Sequence, residues 1–258
     1  MRETRALLLA AGLGSRLHPY TENWPKCLMP VQGRPLLEYW FSILQKAKIS
    51  NVLVNTHHHS DLVMGFLQRP SLVNWVKAIF EKDLLGTAGT LRVNKDFFRE
   101  STLLLVHADN LCCCDFSKFL NFHHNERPKG TIMTMMTFRT PKPSTCGIVE
   151  IDDDGVIQAF HEKILNPPSN LANAAVYLIE AEIIDWILQH PKVSDFSTEV
   201  LPHFVGRIAT WQNENVLRDI GSIDMLRDAQ SDNCFVPDWP DDSWNKNFLH
   251  NPIHQQIL

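Results

Sequence analysis

Apolar residues along this chain fall into two textures. In the first half they form short unbroken runs: Arg5-Ala-Leu-Leu-Leu-Ala10, Asn51-Val-Leu-Val-Asn55, Trp75 to Phe80 and Thr102-Leu-Leu-Leu-Val106. Runs without alternation are what strands covered on both faces require. Between them, Leu36, Leu37, Trp40, Ile43, Leu44 and Ala47 recur at helical spacing behind Pro35, a residue suited to a first helical turn. Asp61 to Gln68 and the segment opened by Gly86-Thr-Ala-Gly89 complete the helical candidates there. Strand and helix in alternation predict a parallel sheet with helices on its faces. The second half is β-rich: Thr131 to Phe138, Gly147 to Ile151, Val156 to Phe160 and Ala172 to Ile179 read as strands, with Asp154-Gly155 as a hairpin turn. Helices are expected at Glu182 to Leu188 and Ser197 to Val205. After about Asp232 the chain is rich in Asp, Asn, Pro and Trp, yet Trp239, Trp244 and Phe248 are too aromatic for a solvated tail. They are expected to pack back on the body or on a second copy of the chain.

Composition narrows the function classes. The chain has 258 residues, 44% hydrophobic and 21% charged, with a net charge of -5, which suits a globular enzyme and argues against a nucleic-acid surface. No apolar run has the roughly 20 residues of a membrane span. The Ala6–Ala11 run is shorter than a signal-peptide core and leads straight into a glycine turn, so it reads as a first strand and the protein as cytoplasmic. Six cysteines, three of them adjacent (Cys112, Cys113, Cys114), make a poor disulfide framework; reduced thiols are the expectation. The adjacent histidines, His57 to His59 and His123-His124, lack zinc-ligand spacing and read as surface or loop-capping groups. Met133, Met135 and Met136 read as core.

The strongest chemical signal is Ala10-Ala-Gly-Leu-Gly-Ser-Arg-Leu17 followed by Trp24-Pro-Lys-Cys-Leu-Met-Pro-Val31. A glycine turn after a buried strand lets the backbone approach phosphate oxygens, while Arg16 adds a planar charged fork and Lys26 a mobile point charge. A dinucleotide-binding turn would place a third glycine where Leu17 stands and an acidic residue where Asn55 stands, and this chain has neither.

These segments resemble the sugar-1-phosphate nucleotidylyltransferases, whose signature stands here as Gly12-Leu-Gly-Ser-Arg16-Leu17, Pro25-Lys26 and Pro30-Val31. The resemblance runs from Ala6 to about Gln230. It implies a Rossmann-like α/β fold: a mixed, mainly parallel sheet flanked by helices, with a smaller β-rich sugar-binding part. Residues 1–230 would form a single domain, 1–125 its nucleotide half and 126–230 its sugar half, with 231–258 as a tail. The length leaves no room for an appended β-helical domain, so no fused acyltransferase is expected.

The same resemblance implies roles residue by residue. Ala11, Gly12, Leu13 and Gly14 would hold the triphosphate with Arg16 and Lys26, and Leu84-Leu-Gly86-Thr87-Ala-Gly-Thr-Leu91 would hold the base. Its GTAG form is similar to that of mannose-1-phosphate guanylyltransferases. Glu81 stands where the family reads the base edge, and a carboxylate suits the adjacent N1–H and N2–H donors of guanine. Asp109 and Asp219 would hold Mg²⁺, as a cation that takes one or two carboxylates plus phosphate oxygens; Ala108 replaces the usual glycine before Asp109. Lys163 would neutralise the sugar phosphate, with Glu162, Gly147 and Asn173 lining the sugar. The implied substrates are an NTP, GTP by preference, and a sugar 1-phosphate, mannose 1-phosphate by preference. Heptose 1-phosphate, or UTP or dTTP with glucose 1-phosphate, would use the same phosphate contacts. A non-catalytic sugar-nucleotide sensor on the same fold is the alternative of another class.

Overall fold

The computed structural model describes residues 2–257. The chain divides into two compact units, each assembled from segments remote in sequence. One comprises Ala6–Leu84, His107–Cys114 and Asn215–Leu258; the other comprises the residues up to Arg5, Leu85–Val106 and Asp115–Glu214. Parallel and antiparallel strands both occur and helices pack on them, which is the mixed α/β class expected from the pattern.

In the first unit, strands β1 (Thr4–Leu9), β4 (Val52–Thr56) and β5 (Val76–Phe80) run parallel. Leu7, Leu8, Val52 and Val54 are fully buried, as an unalternating apolar run demands. Helix α2 (Ser60–Leu67) packs on β4 and β5. A small hairpin of β2 (Pro30–Val31) and β3 (Arg34–Pro35) leads into helix α1 (Leu36–Lys46). The chain returns to this unit as β7 (Asn110–Cys112), which pairs antiparallel with β13 (Leu217–Asp219). Helices α7 (Ile223–Ala229), α8 (Ser243–Leu249) and α9 (Ile253–Ile257) follow.

Helical spacing marked one apolar face of α1, but Leu36 through Leu44 are all buried, Glu38 and Ser42 included. The tail covers the second face. Trp239 is 6% exposed and its indole N–H lies 2.8 Å from Ser42 Oγ and 3.2 Å from the Glu38 carbonyl. Phe248 is buried against Trp24 and Trp244. Of the two places expected for the tail aromatics, these take the body of their own chain. Two charges buried in this packing hold the tail down. Arg69 donates to Glu38 on one side and, at 2.6 Å, to Asp242 Oδ2 on the other, where Asp242 also caps α8. Burial pushes the Glu38 carboxyl up, and the Arg69 hydrogen bond and charge oppose it.

One expectation fails here. Cys113 is disulfide-bonded to Cys234, 121 residues away, while Cys27, Cys112, Cys114 and Cys146 are free. Spacing could not show this pair, because it depends on where the tail returns. Arg218 of β13 grips Asp232 with two hydrogen bonds, at 2.5 and 2.6 Å, and so sets Cys234 beside the end of β7.

In the second unit, β11 (Leu171–Ile179) is central. It pairs antiparallel with β6 (Thr102–His107) and with β8 (Met133–Arg139), while β12 (Ile208–Gln212) runs parallel to β8. Strands β9 (Gly147–Ile151) and β10 (Ile157–Glu162) form the hairpin signalled by Asp154-Gly155, with Gly155 at φ 76°. Helices α3 (Thr87–Val93), α4 (Lys95–Phe98), α5 (Phe116–Asn121) and α6 (Ala181–Gln189) complete it. The helix expected at Ser197 to Val205 is a wide turn at Phe196–Val200 followed by a 3-10 turn at Leu201–Phe204, because Pro202 has no N–H for a regular ladder. Met133, Met135 and Met136 are fully buried, as expected. No helix among the described residues is long and apolar enough to cross a membrane.

His123 is fully buried in the second unit, 2.8 Å from Thr134 Oγ1 and 3.2 Å from Glu180 Oε1. The His123 hydrogen bond, then the Arg127 charge, hold Glu180 down at about 2, and burial lowers the His123 pKa. Both folded values lie below the unfolded ones, so both groups lose their contribution as pH falls. His123 begins to do so below about 6.5, and Glu180 between about 4.5 and about 2. Denaturant midpoints measured against pH should therefore fall on acidification, and Glu180→Gln should flatten the lower part of that curve. In the first unit, Arg69→Met leaves buried Glu38 with only the 3.8 Å ion pair to Arg34 and removes the partner of Asp242. It should destabilise by about 3–5 kcal/mol in chemical denaturation, whereas replacing exposed Arg99 should change little.

Candidate active site

The glycine turn lies in the first unit, directly after β1. Ala11 is buried, Gly12 and Leu13 are exposed, and the four residues Ala11 to Gly14 lie outside any helix or strand. Gly14 sits at φ 65°, and a Cβ there would come within 2.9 Å of Thr21 Cγ2, so only glycine fits. Thr21 Oγ1 donates to the Gly14 carbonyl at 2.9 Å and braces the turn. Arg16 follows on a short 3-10 turn and is 73% exposed.

Three charged residues remote in sequence converge beside it. Lys26 opens a 3-10 turn after Pro25 and is 8% exposed, with its ammonium 2.6 Å from Asp109 Oδ2 and 3.3 Å from Asp219 Oδ1. Asp109 stands just before β7 and Asp219 ends β13. Their pairing sets Asn110 opposite Asp219, and the Ile220 N–H donates to the Asp109 carbonyl. The Trp40 indole N–H, from α1, holds the Asn110 carbonyl at 2.8 Å. Arg16 Nη2 stands 3.6 Å from Asp219 Oδ2. Burial works to raise the Asp109 pKa, but the Lys26 charge and hydrogen bond, with His107, outweigh it and leave the carboxyl below its ordinary value. Burial, then the Asp109 charge, push the neighbouring Cys27 thiol up to about 12, which leaves it no role as a nucleophile.

No cluster of three His, Cys, Asp or Glu ligands occurs among the described residues. Asp109 and Asp219 are two carboxylates on one lysine; by their chemistry they could serve a hard cation that takes its other ligands from outside the protein. They do not make an all-protein cage.

Glu81 follows β5 in the same unit and is 5% exposed. Its Oε1 accepts from Asn55 Nδ2 at 3.0 Å, its N–H donates to the Thr56 carbonyl, and its carbonyl lies 2.8 Å from His57 Nδ1. His58 and His59 both reach the Thr21 carbonyl at 3.1 Å, so the histidine run holds loops.

The remaining predicted residues lie in the second unit. Gly86 precedes α3, and Thr87 Oγ1 accepts from the Phe196 N–H at 2.6 Å. Gly147 and Glu162 are paired across β9 and β10. A Cβ on Gly147 would fall 2.7 Å from Glu162 Oε2 and from the Phe160 ring, so the glycine leaves room for the carboxylate. Lys163 is exposed, with its ammonium 3.0 Å from Glu162 Oε1 and its backbone held by the Cys146 carbonyl. Asn173 lies where β11 shifts register, donating to Tyr177 Oη at 2.7 Å and accepting from the Ala175 N–H at 2.9 Å. Burial raises the Tyr177 pKa far above its ordinary value, so the phenol stays protonated and fixes the Asn173 amide.

Thr21, Asn55, Trp40 and Tyr177 support these groups, and no sequence motif pointed to them. Asn55 alone leaves a trace in the sequence, as an amide at the position where a dinucleotide-binding fold carries an acidic residue.

Comparison with known proteins identifies the family. The Nucleotidyl transferase family model matches residues 5–234. A mannose-1-phosphate guanylyltransferase of Mycobacterium tuberculosis is 29% identical over 222 residues, covering 84% of this chain and 61% of that protein. A UTP–glucose-1-phosphate uridylyltransferase of Synechocystis is 30% identical over 199 residues, covering 71% of this chain and 50% of its own length. The chain thus spans about three fifths or less of the length of these relatives. A solved Bacillus anthracis structure with sucrose, assigned as a glucose-1-phosphate thymidylyltransferase, shares the fold with a TM-score of 0.79 at 19% identity. It covers 94% of this chain and 99% of that one. With its motifs in order and the family model matched over nearly its whole length, this chain belongs to the nucleotidyl transferase family.

Proposed function

We propose that this protein transfers the nucleotidyl group of a nucleoside triphosphate to a sugar 1-phosphate, releasing pyrophosphate and forming an NDP-sugar. The observation that carries the reading is the Lys26 ammonium held between Asp109 and Asp219, with Arg16 beside them. In this reaction the sugar-phosphate oxygen forms a bond to the α-phosphorus as the bond to the β-phosphate oxygen breaks. A phosphate monoester is mostly dianionic at pH 7, since its second pKa is ~6. No general base is required; the work is alignment and neutralisation of two polyanions.

The glycine turn and Arg16 grip the triphosphate, Lys26 neutralises charge at the α-phosphate, and Lys163 holds the nucleophilic phosphate. Glu162, Gly147 and Asn173 hold the sugar. As built, Lys26 and Arg16 are balanced by Asp109 and Asp219, which leaves no surplus positive charge for a triphosphate. That balance favours Mg²⁺ on Asp109 and Asp219. When bound, it supplies the missing charge and orients phosphate oxygens.

GTP and mannose 1-phosphate are the preferred pair in this reading. The acceptor edge of Glu81 suits guanine N1–H and N2–H, and the name of the Mycobacterium relative supports the choice. The Synechocystis relative carries the competing pair. Pyrophosphate release from a grid of four NTPs against mannose, glucose and heptose 1-phosphates tests all of this at once. Release with GTP and mannose 1-phosphate is expected. Another productive pair would keep the chemistry and overturn the substrates, while silence with nucleotide binding intact would favour a sensor. Asp109→Asn should reduce turnover at least about a hundredfold at millimolar Mg²⁺, by analogy with the loss of one transition-state contact. Wild-type rates in a folded variant would sink the metal assignment.

A further inference from the structure

Asn55 ties together the carboxyl ends of three parallel strands. It lies in β4, paired with Leu9 of β1 on one side and Ile79 of β5 on the other. Its side chain is buried at 3% exposure. Asn55 Oδ1 accepts from the Ala10 N–H, where the glycine turn begins, at 2.7 Å, and Nδ2 donates to Glu81 Oε1 at 3.0 Å.

The direction of these bonds is forced. A backbone N–H can only donate, so Asn55 must turn its oxygen to Ala10. Its amide nitrogen therefore faces Glu81, and the Glu81 side chain must accept. A carboxylate satisfies this, since it accepts through both of its oxygens. The carboxylate is an acceptor whatever its partner; what the backbone at the head of the glycine turn sets, through Asn55, is where its oxygens lie.

We propose that Asn55 is a specificity-determining positioning residue, a hydrogen-bond relay that fixes the Glu81 carboxylate in one orientation and so selects bases with adjacent ring and exocyclic N–H donors over uracil. The inference rests on the base role of Glu81 proposed above. Uracil offers one ring N–H between two carbonyl acceptors, so a fixed double acceptor meets it with one favourable and one repulsive contact. A merely structural Asn55 would hold the turn for every nucleotide alike.

Three variants separate the two roles. Asn55→Asp keeps an acceptor for Ala10 but sets a carboxylate against Glu81. Glu81→Gln keeps the bond from Asn55 and turns an amide donor outward. In the double variant, the carboxylate at position 55 accepts from the amide at position 81, whose carbonyl then faces outward and restores an acceptor. For wild type and all three, kcat and KM are measured with GTP and UTP, and GDP and UDP affinities by calorimetry on the same proteins. Each single variant should lower the GTP-to-UTP preference at least about tenfold, as loss of one charge-assisted hydrogen bond does. The loss should appear in KM for GTP more than in kcat, and the double variant should recover part of the preference.

Equal losses for both nucleotides, or single losses that simply multiply in the double variant, would overturn the relay while leaving the base reading intact. A wild type that prefers UTP and binds UDP more tightly than GDP would overturn the base reading, and the relay with it. If no triphosphate is turned over, the GDP and UDP affinities decide for or against the relay by the same criteria.

Discussion

Lys26 stands 2.6 Å from one carboxylate and 3.3 Å from another, and neither distance could be held without the backbone around it. Two acidic side chains this close repel unless a cation lies between them, and a nearly buried ammonium is costly unless carboxylates surround it. Each of the three makes the others tolerable. The short β7–β13 ladder delivers Asp109 and Asp219, and the Trp40 indole on the Asn110 carbonyl holds that ladder to α1. The result is a balanced charge cluster, built from residues of the chain alone.

The same physics recurs where the chain secures its last segment. Arg69 is buried between Glu38 and Asp242, so the tail is fixed by a charge that cannot be left unpaired. Trp239 covers α1, Arg218 clamps Asp232, and the Cys113–Cys234 bond ties the tail to the strand that follows Asp109. These contacts support α1, β7 and β13, the elements that carry or brace the charge cluster. The tail thus belongs to the scaffold of the Lys26–Asp109–Asp219 cluster, although the family motifs end before it.

Around the candidate residues of the second unit, geometry comes from irregular backbone. Gly147 leaves room for Glu162, and the register shift of β11 turns Asn173 toward Tyr177. A regular β11 would alternate faces residue by residue. The shift frees Asn173 from that rule, and the protonated Tyr177 hydroxyl then fixes its amide.

Much of this molecule was legible in its sequence. Unbroken apolar runs located β1, β4, β5 and β6, helical spacing located α1 and α6, and Asp154-Gly155 located the β9–β10 hairpin, because burial imposes its period on residues adjacent in the chain. The glycine turn, Pro25-Lys26, Asp109 and Asp219 were likewise readable as types and positions. Short β7 and β13 escaped, since three residues carry too little periodicity. So did the second buried face of α1, the hydrogen bond of Asn55 to Glu81, and the partners of Arg69 and Cys113. Each is a contact between residues tens to more than a hundred positions apart. Local sequence determined which segments are strands, which are helices and which residues carry charge. Only tertiary structure decided which charges meet, because that depends on the order in which strands pair and on where the chain returns.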